Sequence, residues 1–121
     1  MDDSLHLDDW AGQTTRVVID RPLGSRHPDY DYEYEVNYGF VPGVIAPDGE
    51  ELDVYLLGTD EPLEVCERAE VVAIVRRRDD IEDKLVAVVG AETWDAPKID
   101  AAVRFQEQFF DSYVEIETDQ D

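Results

Sequence analysis

Between Tyr34 and Asp53 the chain reads Y-E-V-N-Y-G-F-V-P-G-V-I-A-P-D-G-E-E-L-D. Asp48, Glu50 and Asp53 offer carboxylates from a Pro47-Asp48-Gly49 turn and the strand start after it. Mg²⁺ prefers such hard oxygen donors, and it keeps several waters for substrate phosphates. A second acidic stretch, Asp79-Asp80-Ile81-Glu82-Asp83-Lys84, follows Arg76-Arg77-Arg78. A lysine among carboxylates offsets their repulsion and binds phosphate as a point charge. Tyr34, Tyr38 and Tyr113 bring hydroxyls that can reach phosphate oxygens or a metal-bound water, and Arg26 and His27 bring positive charge. The combined chemistry is metal-assisted handling of a phosphorylated anion.

Each piece alone has a plainer explanation. In a chain with 31 acids, a trio such as 48, 50 and 53 is by default a set of solvated carboxylates. The 79–83 stretch is by default an exposed charged turn, and a single tyrosine is more often a core aromatic with a satisfied hydroxyl. What favours a site is company: two acid clusters, a lysine and several tyrosines close to strand ends. No Cys/His spacing suggests zinc, no glycine-rich phosphate loop is present, and no serine has an evident triad partner.

The elements that position these residues read as short strands. Thr14 to Asp20 is β-branched, Tyr34 to Ala46 continues with bends at Gly39 and Pro42, and Leu52 to Leu57, Val71 to Val75 and Leu85 to Val89 complete five. The period of two sets Leu52, Val54 and Leu56 on one face and Asp53, Tyr55 and Leu57 on the other. Arg26 to Glu33 reads as a loop, Glu61 to Glu70 as a connector and Arg76 to Asp83 as a charged turn. Ala102, Phe105, Phe109 and Phe110 give an apolar stripe to a helix expected over Ile99 to Phe110, before a short extension at Tyr113 to Ile116. The fold class expected is mainly β (α+β): a small five-stranded barrel of the oligonucleotide/oligosaccharide-binding kind, closed by a C-terminal helix. One domain over 14–116 lies between an acidic tail at 1–13, with Leu5, Leu7 and Trp10 as anchors, and another at 117–121.

The 121 residues, 43% of them hydrophobic, suffice for a single core. Cys66 is the lone cysteine, so no internal disulfide forms, which suits a reducing compartment. No apolar run approaches the roughly 20 residues of a bilayer span, and Met1-Asp2-Asp3-Ser4 lacks the basic start of a secretory signal. A cytoplasmic location is the expectation. Thirty-one acids against ten bases give a formal net charge of −21. Such a surface repels nucleic acid and anionic membrane, so neither is an expected partner. Only Lys84 and Lys98 are lysines, and acid excess with few lysines points to a halophilic protein adapted to concentrated salt.

Taken together, Y-E-V-N-Y-G-F-V-P and D-G-E-E-L-D resemble the Y-P-x-N-Y-G-F-I-P and D-G-D-P-x-D motifs of the soluble, metal-dependent inorganic pyrophosphatases. The resemblance covers about residues 16 to 114. It implies Mg²⁺-dependent hydrolysis of diphosphate to two phosphates. By it, Asp48, Glu50 and Asp53 match metal-binding acids, Glu50 standing for an aspartate, and Asp53 helps to deprotonate the attacking water. D-D-I-E-D-K-L-V-A-V is similar to the family's later loop, shortened by about two residues. Asp79 matches an acid there and Lys84 the lysine, while the second acid falls on Glu82 by spacing and on Asp83 by residue type.

The resemblance further implies that Tyr34, Tyr38, Tyr113 and Lys84 contact phosphate, and Asp20 stands near the family's early glutamate. The chain also departs from the pattern. Val114 occupies a family lysine position, R-H-P-D at 26–29 replaces an early K-Y-E, and the hairpin carrying a phosphate-binding arginine is largely missing. Arg26, His27 or an arginine of 76–78 is then needed on the phosphate side. The rival expectation is a non-catalytic module on the same barrel that binds a metal-phosphate ligand or a protein, and a third is hydrolysis of another phosphoanhydride. Homo-oligomer formation stays open.

Overall fold

The computed structural model describes residues 10, 12–29, 31–46, 49–78 and 83–116. These form strands β1 (Thr14–Arg21), β2 (Asn37–Ile45), β3 (Glu51–Leu57), β4 (Val65–Arg77) and β5 (Lys84–Val88), helix α1 (Ala96–Glu107) and strand β6 (Ser112–Ile116). Hydrogen-bonded neighbours run β1-β2-β3-β5-β4-β6, and an additional β1–β4 pairing closes the first five into a barrel with β6 laid along β4. The β3–β5 pair is parallel. Closure satisfies the strand edges that an open sheet of this size would expose.

Alternation along the strands builds two cores. Val17 from β1, Val41 from β2, Leu52, Val54 and Leu56 from β3, Val71 and Ile74 from β4, and Leu85 and Ala87 from β5 fill the barrel. Tyr38, Tyr55, Leu57, Ala73, Val75, Val86 and Val88 point outward and are covered by Ile99, Val103 and Phe105 of α1. With both faces covered, β5 is buried at every position and reads as an unbroken apolar run after Lys84. Each fully buried Val, Leu or Ile contributes about 1.5–3 kcal/mol relative to exposure.

Several element boundaries differ from the sequence expectation. Arg76 and Arg77, expected in a charged turn, extend β4, where both pair with β6. The supposed connector at Glu61 to Glu70 supplies, from Val65 on, the first half of β4, which pairs Val65, Cys66, Ala69 and Glu70 with β1. Its buried positions there hold only Cys66 and Ala69, too small and too widely spaced to look like a strand. Tyr34 to Val36 precede β2; Tyr34 is tied instead to a turn, its N–H donating to the Ser25 carbonyl and its carbonyl accepting from Gly24 N.

The helix begins at Ala96, because Asp95 Oδ1 accepts from Lys98 N at 3.0 Å and Pro97 sits in the first turn, where its missing N–H costs nothing. It ends at Glu107, leaving Phe109 and Phe110 in the following turn. At the other end of the chain, Trp10 packs on the barrel core, and Gly12 and Gln13 exchange backbone hydrogen bonds with Val71. The rest of the acidic tail expected at 1–13 and the one expected at 117–121 lie outside the described residues.

Candidate active site

The outward rows of the barrel are apolar under the helix and turn polar where they run past it. On β3 the row Leu57, Tyr55 ends in Asp53; on β5 the row Val88, Val86 ends in Lys84; on β4 the row Ala73, Val75 ends in Arg77. Register brings these ends together: Val54 pairs with Leu85, Val75 with Lys84, and Phe40 with Asp53. Asp53, Lys84 and Arg77, with Tyr34 and Tyr38, line one cavity of about 480 Å³.

Strand β1 adds two neighbours in sequence, Asp20 and Arg21, to the same cavity. Adjacent strand residues ordinarily face opposite ways. Here the pairing with β2 slips between Ile19 and Arg21, Ile19 opposing Gly39 and Arg21 opposing Tyr38. The extra residue of the bulge is Asp20, and the bend lets both side chains face the ligand space. Gly39 makes this approach feasible: a Cβ there would lie 1.9 Å from the Val18 carbonyl oxygen.

Lys84 Nζ donates to Asp53 Oδ2 at 2.8 Å, the lysine side chain 3% and the aspartate 27% exposed. The same ammonium lies 5.5 Å from the centre of the Tyr38 ring. Burial, reinforced by the Asp53 charge, pushes the Tyr38 phenol well above its ordinary value, and burial likewise raises Tyr34, which bonds to Arg21. Both therefore remain O–H donors near neutrality. Burial also raises the Asp20 carboxyl, Arg21 opposing and Asp53 adding to the rise.

His27 stands at the wall, stacked on Tyr34 at 5.9 Å, and its Nδ1 accepts from Asp29 N at 3.0 Å. Asn37 of the motif is fully buried and away from the cavity. Its Oδ1 accepts from Leu23 N and Leu63 N at 3.0 Å each, and its Nδ2 donates to the Glu61 carbonyl at 2.9 Å. It clamps two loops to the start of β2, which fixes Tyr38 next door.

Of the residues singled out in the sequence, Asp53, Lys84, Tyr38, Tyr34 and His27 meet in the cavity. Four others do not line it. Glu50 is exposed. Asp83 accepts from Arg76 Nη1 at 3.2 Å and from Arg77 N at 3.0 Å. Arg26 bonds to Asp31 through its side chain and pairs with Glu33 through an isolated antiparallel backbone bridge. Tyr113 is 39% exposed, with the Arg78 guanidinium 4.4 Å from its ring centre. Asp48, Asp79 and Glu82 lie outside the described residues. Arg21 and Gln106 were not singled out in the sequence, Asp20 stood there only near the family's early glutamate, and Arg77 only as one of the three arginines at 76–78.

Among the described residues no group of three or more His, Cys, Asp or Glu side chains converges as a metal site. The cavity nevertheless offers a compatible donor set. Asp20 and Asp53 are both carboxylates facing one space, and the Asp53 charge adds to the rise of the Asp20 carboxyl, a repulsion that a dication relieves.

The inorganic pyrophosphatase family model matches residues 10–121. The chain belongs to the inorganic pyrophosphatase family. An inorganic pyrophosphatase of Neisseria meningitidis serogroup A is 45% identical over 86 residues, covering 64% of this chain and 48% of that protein. The chain thus spans about half the length of the curated relatives it matches. The inorganic pyrophosphatase of Ehrlichia chaffeensis superposes with a TM-score of 0.69 at 17% identity, over 96% of this chain and 91% of that one. That of Coxiella burnetii gives 0.61 at 19% identity, over 100% and 90%. These likenesses establish the fold, and the closed barrel with its C-terminal helix is the family's.

Proposed function

We propose that this pyrophosphatase-family chain hydrolyses inorganic diphosphate to two phosphates with the help of Mg²⁺. The observation that carries the reading is the convergence of Asp53, Lys84, Tyr34 and Tyr38, from separate motifs, with Asp20 and Arg21 in one cavity. That convergence favours hydrolysis over a non-catalytic module, which would need the barrel but not this grouping.

Asp20 and Asp53, joined by Asp48, Asp79 and Glu82 from outside the described residues, would hold the metal. Asp83 is engaged with Arg76 and the Arg77 backbone, which favours Glu82 as the second acid of that loop. The bound ion would neutralise phosphate charge and acidify a water. Asp53 accepts the proton of the water whose oxygen attacks one phosphorus. The bridging P–O bond then breaks, and the departing phosphate keeps the electron pair. Lys84 orients Asp53 through its 2.8 Å contact. Tyr38, Tyr34 and Arg21 donate hydrogen bonds toward the developing charge, where one positioned donor contributes about 2.7–4 kcal/mol. The lone Cys66 and the charge of −21 support a cytoplasmic, salt-rich setting.

Phosphate release from diphosphate with Mg²⁺, measured in dilute and molar KCl beside Asp53→Asn, tests the reading. Release by the unaltered chain and its loss in the variant are expected. Absence of release in every salt rejects hydrolysis, and equal rates reject the role of Asp53.

A further inference from the structure

The family resemblance left the phosphate side short of cations, with valine at 114 and a hairpin arginine missing. Arg77 is a further cation of the cavity lining. It ends the outward row of β4 and lines the cavity, yet its side chain is 2% exposed. Its Nε donates to Glu107 Oε1 at 3.1 Å and its Nη2 to Oε2 at 2.7 Å, a parallel fork on a carboxylate that is itself 1% exposed. Glu107 does not line the cavity. The pair is therefore oriented, its positive end toward the ligand space and its negative end toward the helix.

Further contacts fix that orientation. Glu107 Oε2 also accepts from the Tyr55 hydroxyl at 2.6 Å, and Gln106 Nε2 donates to the same hydroxyl at 2.7 Å. Gln106 Oε1 accepts from the Tyr32 hydroxyl at 2.9 Å, which carries the network to the cavity wall. The Phe110 ring lies 3.6 Å from the guanidinium carbon and lines the cavity beside it.

Stability alone does not explain this arrangement. An Arg–Glu pair out of water offers little over apolar side chains of the same volume, because desolvation offsets attraction. A fixed cation behind a low-dielectric wall, by contrast, acts strongly on an anion next to it. We propose that Arg77 is a phosphate-side cation of this cavity and that Glu107 is its positioning residue. The proposal rests on the diphosphatase reading for the identity of the anion.

Its test is the full chain with Arg77→Met combined with Glu107→Gln, so that neither charge is stranded. Two readouts are taken: KM and kcat for diphosphate with Mg²⁺, and the Kd of imidodiphosphate, the non-hydrolysable analogue, by calorimetry. The Kd and KM are expected to rise on the order of tenfold or more, the scale of a lost charged contact. A folded double variant with unchanged Kd overturns the proposal. Unaltered protein that hydrolyses diphosphate keeps the functional reading alive in that case. Protein that binds imidodiphosphate without hydrolysing diphosphate rejects the reading while the Kd comparison still decides on Arg77. Absence of binding by the unaltered protein overturns both. Should the double variant fail to fold, Arg77→Lys decides: charge is kept but the fork on Glu107 and the stacking on Phe110 are lost, so Kd is expected to rise about threefold or more, and a folded lysine variant with unchanged Kd overturns the proposal.

Discussion

Lys84 Nζ lies 2.8 Å from Asp53 Oδ2, the ammonium nearly buried and the carboxylate still reaching the cavity. The asymmetry separates what each residue does. Asp53 presents charge to the ligand space, and Lys84 holds it from behind on the neighbouring parallel strand. Asp53→Asn is expected to lower diphosphate turnover about 100-fold or more. It also leaves a buried ammonium facing a neutral amide, a cost of about 1–3 kcal/mol in urea unfolding. Lys84→Met removes the buried charge and leaves Asp53 to water, so turnover falls while the unfolding midpoint changes less. Equal destabilisation by both variants would contradict this division.

Gly39 gives a second prediction, on how the backbone sets the site. Gly39→Ala drives a methyl to 1.9 Å from the Val18 carbonyl oxygen, backbone that cannot step aside without parting β1 from β2. The expected loss is at least about 1–3 kcal/mol of stability, together with lower activity, because the bulge that aims Asp20 and Arg21 lies opposite. Thermal unfolding and turnover check it; a variant with unaltered melting and rate would show that the strands tolerate separation.

The tyrosines sort by position. Tyr38 is buried beside Asp53 and Lys84, whereas Tyr113 lies on β6 under Arg78 and away from the cavity lining. Tyr38→Phe is expected to cut kcat/KM on the order of tenfold or more, and Tyr113→Phe to leave it within about twofold. The reverse ranking in steady-state assays would return the substrate contact to Tyr113.

The motif half of the site was legible in the sequence because its chemistry is local: turn, acids and tyrosines follow one another between Tyr34 and Asp53. The barrel was legible for a similar reason, since β-branched runs end at Gly and Pro. Asp20, Arg21 and Arg77 were less legible because barrel closure and a bulge bring them in from β1 and β4. A bulge breaks the period of two, so no alternation argument places both Asp20 and Arg21. The first half of β4 hid behind charged residues, and the helix start behind Pro97, which an Asp95 cap accommodates.

Acid stability follows from Glu107. Burial alone would raise its carboxyl, but the Arg77 guanidinium and the Tyr55 hydroxyl outweigh burial and hold it below its ordinary 4.5. A lowered folded value means stability that is complete above 4.5 and lost as pH falls through the folded value. Asp20 works in the opposite sense: raised by burial, its stabilising effect is complete below 3.8 and is lost as pH rises through its folded value. Urea midpoints between about pH 3 and pH 7 should fall toward acid in the unaltered chain. Glu107→Gln should start lower at neutral pH and show a flatter acid limb, the two curves converging. Parallel curves would mean that Glu107 does not set the acid limit.

Salt decides between two opposing electrostatic effects. Exposed pairs such as Arg16–Glu67 at 3.3 Å and Arg78–Asp111 at 2.9 Å weaken as ions screen them, but each contributes only about 0.2–1 kcal/mol. The buried pairs Arg77–Glu107 and Lys84–Asp53 are screened little. Against these small losses stands the self-repulsion of a chain with a net charge of −21, which falls away as the Debye length shrinks from about 10 Å at 0.1 M to about 3 Å at 1 M. Relief of repulsion wins, so the melting temperature is expected to climb steadily with KCl into the molar range. A flat melting temperature over that range would show that the acidic surface carries no salt adaptation.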